Sequence, residues 1–168
     1  MIDTINMVLE IGCGDVPIFT NSLRVDIRKT AAVSIIADAR FLPFKKEIFH
    51  HVYSSHTIEH FSHNDVPFVL KEWIRIMKHG GVIEIRCPDL RARALIFFLK
   101  PTLHNIHNIY GKQDYPENFH LSGFSYQLLK SLLIENYITN IERVFDGYKG
   151  IPFLPCDLHI IGEKPLKN

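Results

Sequence analysis

Met7-Val8-Leu9-Glu10-Ile11-Gly12-Cys13-Gly14 is the stretch on which the fold turns. A short apolar run that stops at a glycine reads as a buried strand feeding a sharp turn. Glycine supplies the positive φ angles and the bare main chain that such a turn needs beneath a ligand. Outward from it, Leu23 to Ile27 and Val33 to Ala37 are two more short apolar runs, the first carrying Asp26 near its end and the second running into Asp38. Val52-Tyr53-Ser54-Ser55 reads as a fourth strand and Gly81 to Cys87 as a fifth. Between these two, Val66, Val69, Leu70, Trp73, Ile74 and Met77 recur at spacings of three and four, which is one face of a helix. Asn64 or Asp65 caps its start, Pro67 suits its first turn, and Lys78-His79-Gly80-Gly81 stops it. Helical periodicity returns from Leu90 to Leu99 and from Ser125 to Leu133, and late strands are expected at Asn140–Phe145 and Leu158–Gly162.

Strands interleaved with helices imply an α/β fold with a mainly parallel sheet, its ligand site outside the carboxyl ends of the strands. The first two crossovers, Cys13 to Ser22 and Arg28 to Ala32, are too short for helices, since a helical crossover takes at least about 10–12 residues. They are expected to be irregular loops or single turns. One face of the sheet is then thinly covered, and a homodimer is the expected way to bury it. Pro101 to Leu121, rich in His, Asn, Tyr and Pro, is expected to be an irregular insert (about 101–123) on the acceptor side of a single domain spanning 1–168.

Of the 168 residues, 46% are hydrophobic and 22% charged, which excludes a disordered chain. The net charge of +1 and the scatter of Lys and Arg give no support to a nucleic-acid or membrane-surface partner. The longest apolar stretch, Ala94 to Leu99, falls far short of the roughly 20 residues of a membrane span. Asp3, Asn6 and Glu10 break any secretory leader pattern. Three cysteines, Cys13, Cys87 and Cys156, with no C-x-x-C spacing, argue for a reducing, cytoplasmic setting.

The glycine turn falls short of a dinucleotide fingerprint, because Pro17 stands where a third glycine belongs. A nicotinamide-dependent oxidoreductase is therefore disfavoured, and a ligand without a pyrophosphate fits better. Asp26 at a strand end can accept bonds from both hydroxyls of a ribose, and Asp38-Ala39 can take the amine of an adenine.

Leu9 to Gly14, Val25-Asp26-Ile27, Ala37 to Phe44, His56-Thr57-Ile58-Glu59-His60-Phe61, and Leu70 to Trp73 through Gly81 resemble successive motifs of class I S-adenosylmethionine-dependent methyltransferases. Gly111 to Tyr115 and Asn118 to Phe124 are similar to a subgroup of small predicted methyltransferases associated with surface-glycan biosynthesis. The resemblance implies a Rossmann-like sheet, mostly parallel with a late antiparallel strand, with the first crossover helices shortened or missing. It implies S-adenosyl-L-methionine as cofactor, with Gly12 and Gly14 beneath the methionine portion, Asp26 on the ribose, Asp38 and Ala39 at the adenine, and Ser55 and His56 near the sulfonium. Glu10, Cys13 and Ile27 complete the expected cofactor set. The implied activity is methyl transfer to a small hydroxyl-bearing acceptor such as a sugar. The competing reading is a catalytically inactive methyltransferase-fold binding module or partner subunit.

Histidine is the commonest general base. His60 and His120 are the candidates here, with Asp114 a third, for deprotonating the acceptor. His56 to His60 also matches an H-x-x-E-H zinc pattern. It follows a strand directly instead of lying within a long helix, so no metal is expected.

Overall fold

The computed structural model describes residues 7–145, 150–151 and 154–167. Residues 1–6, which carry most of the leader reading, lie outside that range. Seven strands form one sheet: β1 (Val8–Ile11), β2 (Ser22–Asp26), β3 (Ile35–Ile36), β4 (Phe49–Ser55), β5 (Met77–Pro88), β6 (Thr139–Arg143) and β9 (Asp157–Glu163). A separate pair is made by β7 (Gly150–Ile151) and β8 (Leu154–Pro155). The large sheet runs β3-β2-β1-β4-β5-β9-β6, parallel from β3 to β5, with β9 antiparallel to both of its neighbours. The helices are α1 (Val66–Ile76), α2 (Leu90–Leu99), α3 (Leu103–Tyr110) and α4 (Tyr126–Glu135). Among the described residues, no helix is long and apolar enough to cross a membrane.

The two faces of the sheet have opposite chemistry, and the alternation along each strand dictates it. Leu9, Val52 and Ile83 lie side by side in register on one face, with Ile11, Ile85, Leu158 and Ile160 beside them in the core. Val69, Leu70 and Trp73 of α1 and Leu129 and Leu133 of α4 are buried in the same cluster. At about 1.5–3 kcal/mol for each fully buried large apolar side chain, this face supplies the bulk of the driving force. On the other face, Glu10, Tyr53 and Glu84 form the matching row. Glu84 binds the imidazoles of His51 at 2.9 Å and His159 at 2.6 Å. The Phe19 ring stands edge-on to His51 and Tyr53 at 5.3 and 5.2 Å.

No helix lies between β1 and β4, as the short crossovers predict. The loop after β1 is held instead by the buried Glu10, whose carboxylate accepts bonds from the N–H of Ile18 (3.1 Å) and Phe19 (2.5 Å) and from the Ser22 hydroxyl (3.0 Å).

Two sequence expectations shift. The fifth strand starts at Met77, four residues early, because Met77 pairs with Phe49 across an irregularity in the β4–β5 register. The helix before it stops at Ile76, where the Lys164 amine donates to the carbonyls of Ile74 (2.9 Å) and Met77 (2.7 Å). The insert is not irregular throughout. Thr102 caps α3 by accepting from the Asn105 N–H at 3.3 Å, so His104 and His107 lie on a helix.

The turn after β1 has Gly12 at φ +70° and Gly14 at φ +56°. A Cβ on Gly12 would sit 2.0 Å from the Thr57 hydroxyl oxygen, whereas at Gly14 the nearest atom, on Arg28, would be 3.6 Å away. The loop after β3 is tied to α1: Trp73 Nε1 donates to the Ala39 carbonyl at 3.1 Å, and the Leu42 N–H donates to Glu72 at 2.8 Å. Arg75 grips Glu72 at 2.6 and 2.8 Å and the Phe44 carbonyl at 2.9 Å.

Two outcomes follow. Gly14→Ala costs about 1–2 kcal/mol for its left-handed backbone alone, and Gly12→Ala costs more, because Thr57 must also move. Chemical denaturation ranks them, and equal losses would mean that Thr57 swings aside freely. The Arg75 guanidinium holds the Glu72 carboxyl below its ordinary 4.5. The stability it lends is therefore present above 4.5 and lost as acid takes the pH down through the lowered value. Glu72→Gln lowers the thermal midpoint at neutral pH, and the gap from the parent closes in acid. A gap that persists there would show that Glu72 acts through packing.

Candidate functional site

A cleft of about 460 Å³ opens at the carboxyl ends of β1, β2 and β4, beside the loop after β3. Gly12, Gly14, Asp26, Ile27, Asp38, Ala39, Ser55, His56 and His60 all line it. Four strand ends thus bring together residues that the sequence places far apart.

Each side chain is positioned by its own local chemistry. Asp26, 8% exposed, accepts the Gly14 N–H on Oδ2 and the Arg28 N–H on Oδ1, both at 2.8 Å, so the carboxylate braces the glycine turn. The Thr30 hydroxyl adds a bond to the Gly14 carbonyl at 2.8 Å. Asp38 is engaged by Arg40 at 2.7 to 3.1 Å, and that guanidinium holds its carboxyl below the usual range. An adenine amine at this position would meet a carboxylate already paired. Ala39 faces the cleft while its carbonyl is held by Trp73.

Four of the expected residues are placed elsewhere. Glu10 lies on the polar face of the sheet and secures the loop at residues 18–22. Cys13 is outside the cleft lining, and its thiol is pushed up to about 11, first by burial and then by the charges of Asp26 and Glu10. Asp114 is fully exposed and accepts from the Asn118 amide at 2.5 Å, outside the cleft. His120 lies behind His60, on a smaller cavity of about 10 Å³ that it shares with Glu59.

The insert closes over the cleft: Tyr115, Pro116, Glu117 and Leu121 line it, and the Arg28 guanidinium lies 5.0 Å from the Tyr115 ring centre. His60 and His120 do meet, with ring centres 5.1 Å apart. Burial holds the His120 imidazole below its ordinary value. His56, at φ +51°, turns its Nδ1 to within 3.3 Å of Glu59 Oε1. The adjoining Glu59 carboxylate is the chief cause of its raised pKa.

Sequence reasoning missed Thr57, Arg28, Phe61 and Tyr115, all of which line the cleft. Arg28 stands two residues after Asp26, a spacing that a search for the partner of a strand-end acid would have reached. Thr57 and Tyr115 stand within the segments that carry the resemblance, but no spacing marks either as facing the cleft.

Residues 9–85 match the family described as a methyltransferase domain. No curated protein compared with the chain matches it. A methyltransferase from Archaeoglobus fulgidus superposes with a TM-score of 0.67 at 19% identity, over 95% of this chain and 86% of that one. One from Methanosarcina mazei gives 0.64 at 16% identity, over 96% and 93% of the two chains. One from Thermotoga maritima gives 0.61 at 20%, over 94% and 82%. All three are described as S-adenosylmethionine-dependent, and at these identities they speak to the fold. Residues 9–85 are similar to a methyltransferase domain, and the fold is the Rossmann-like one that these solved S-adenosylmethionine-dependent methyltransferases share.

Proposed function

We propose that this protein transfers a methyl group from S-adenosylmethionine to a small hydroxyl-bearing acceptor. The observation that carries the reading is the gathering of Gly14, Asp26, Ala39 and Ser55 around one cleft. Its volume of about 460 Å³ lies within the roughly 300–1,000 Å³ of small-molecule sites.

The donor set fits a nucleoside. A carboxylate has about four acceptor positions, and the two N–H bonds to Asp26 use one on each oxygen. A second position on each oxygen is left for the two ribose hydroxyls. Ala37, Ala39, Ile27 and Phe61 supply apolar walls for a flat base. When bound, the cofactor supplies an electrophilic methyl carbon on a sulfonium, so the protein's work is holding and orienting. Asp26 anchors the sugar, the turn at residues 12–14 passes under the amino-acid end, and the roof at Tyr115 to Leu121 excludes water. His60, Ser62, Asp65 and Glu117 make the lining polar towards the acceptor. We place the acceptor hydroxyl against His60, with His120 behind it.

Calorimetric titration with S-adenosylmethionine, S-adenosylhomocysteine and NADH tests the reading. Binding of the first two and not the third is expected. A folded protein that binds none of them would overturn it. Asp26→Ala is expected to weaken cofactor binding at least about tenfold, since it removes a charge-assisted bond to each hydroxyl. An unchanged dissociation constant would remove Asp26 from the site.

A further inference from the structure

We propose that Glu59, His60 and His120 form a binding site for a divalent transition-metal ion at the acceptor end of the cleft. One ligand atom from each of the three lies within 4.8 Å of the others, a spacing that one ion can bridge.

The two imidazoles are already set for coordination. His60 Nδ1 lies 2.9 Å from the Phe119 carbonyl oxygen, and His120 Nδ1 lies 3.2 Å from that of Ile109. A carbonyl oxygen can only accept, so both Nδ1 atoms carry the proton and each Nε2 keeps its lone pair. This is how metal-bound histidines are oriented: the nitrogen away from the ion donates to a carbonyl or carboxylate.

Glu59 is the independent observation. It is 1% exposed, and neither carboxylate oxygen has a hydrogen-bond partner. A buried carboxylate without donors is strongly disfavoured unless a cation joins it. His56 Nδ1, 3.3 Å from Oε1, is an ion-pair neighbour outside hydrogen-bond geometry, and Oε2 is left open as a ligand.

The three residues are brought together by the main chain. The Glu59 carbonyl accepts the N–H of Leu121 at 2.8 Å and of Ser122 at 3.1 Å, which fastens the segment bearing His120 onto the turn bearing Glu59 and His60. His60 lines the large cleft, whereas Glu59 and His120 border the small cavity behind it. An ion among them has an open coordination position towards the cleft. Two imidazoles and one carboxylate suit Zn²⁺, Fe²⁺, Co²⁺ or Mn²⁺ more than Mg²⁺ or Ca²⁺, which favour all-oxygen sites. This set differs from the His56/His60 pairing of the H-x-x-E-H pattern. Residues 58–60 make a single 3-10 turn, and His56 directs Nε2 to Asp157 at 3.7 Å. The metal's use, to hold and polarise the acceptor oxygen, rests on the methyl-transfer reading; its binding does not.

The test uses full-length protein purified without a polyhistidine tag, stripped by chelator and titrated with Co²⁺ and Zn²⁺ in the absence of cofactor. One equivalent is expected to bind, with Co²⁺ absorption in the visible range typical of mixed nitrogen and oxygen ligands. His60→Ala, His120→Gln and Glu59→Gln each weaken binding at least about tenfold, while His63→Ala does not. Paramagnetic shifts in the parent protein fall on His60 and His120 among the ten histidines. Absence of binding, or binding that survives all three variants, or shifts centred on other histidines, would overturn the site. None of these results bears on cofactor affinity, which the separate nucleoside titration reads.

Discussion

The floor of the cleft is built on one close approach, that of the main chain at Gly12 to the side chain of Thr57. The absent Cβ of Gly12 is replaced by the Thr57 side chain, and the Thr57 hydroxyl donates to the carbonyls of Ile11 (3.3 Å) and Ser55 (3.2 Å). The turn after β1 and the turn after β4 are thereby locked together at the floor of the cleft. The first presents Gly14 to Asp26; the second carries His56, Glu59 and His60. Any side chain at position 12 would push these two groups apart. The glycine thus serves the join between two turns as much as the passage of a ligand.

The scarcity of helices in the first half of the chain is matched by the chemistry of the sheet. Short crossovers leave the face bearing Glu10, Tyr53 and Glu84 without helices between β1 and β4. That face is polar and binds to itself, through the His51–Glu84–His159 cluster and through the Glu10 carboxylate that secures its own loop. The apolar face takes α1 and α4 and concentrates the hydrophobic drive there. A full set of crossover helices would require apolar residues where Glu84 and His51 now stand.

The insert has a double part. Its helix α3 supplies the Ile109 carbonyl that orients His120, and its later residues roof the cleft through Tyr115 and Leu121. The same segment is pinned by the Glu59 carbonyl. The segment that roofs the cleft is therefore also the one that brings His120 to His60.

The strands, α1, the glycine turn and Asp26 were legible because their signals are local: apolar period, glycine, and an acid at a strand end. The matched polar row was implicit in the alternation of Ile83, Glu84, Ile85 and Arg86. The limits of β5 were not legible, since they depend on pairing with Phe49. Glu10, Cys13 and Asp114 do not line the cleft: the loop at residues 18–22 engages Glu10, and Asn118 engages Asp114. By itself the sequence determined a parallel sheet whose strand ends offer a bare turn and carboxylates, because periodicity and glycine chemistry act over a few residues. Only the tertiary structure decided that Thr57 fills the space at Gly12, and that His120 reaches Glu59 and His60. Contacts across some sixty residues are set by packing, and no local pattern encodes them.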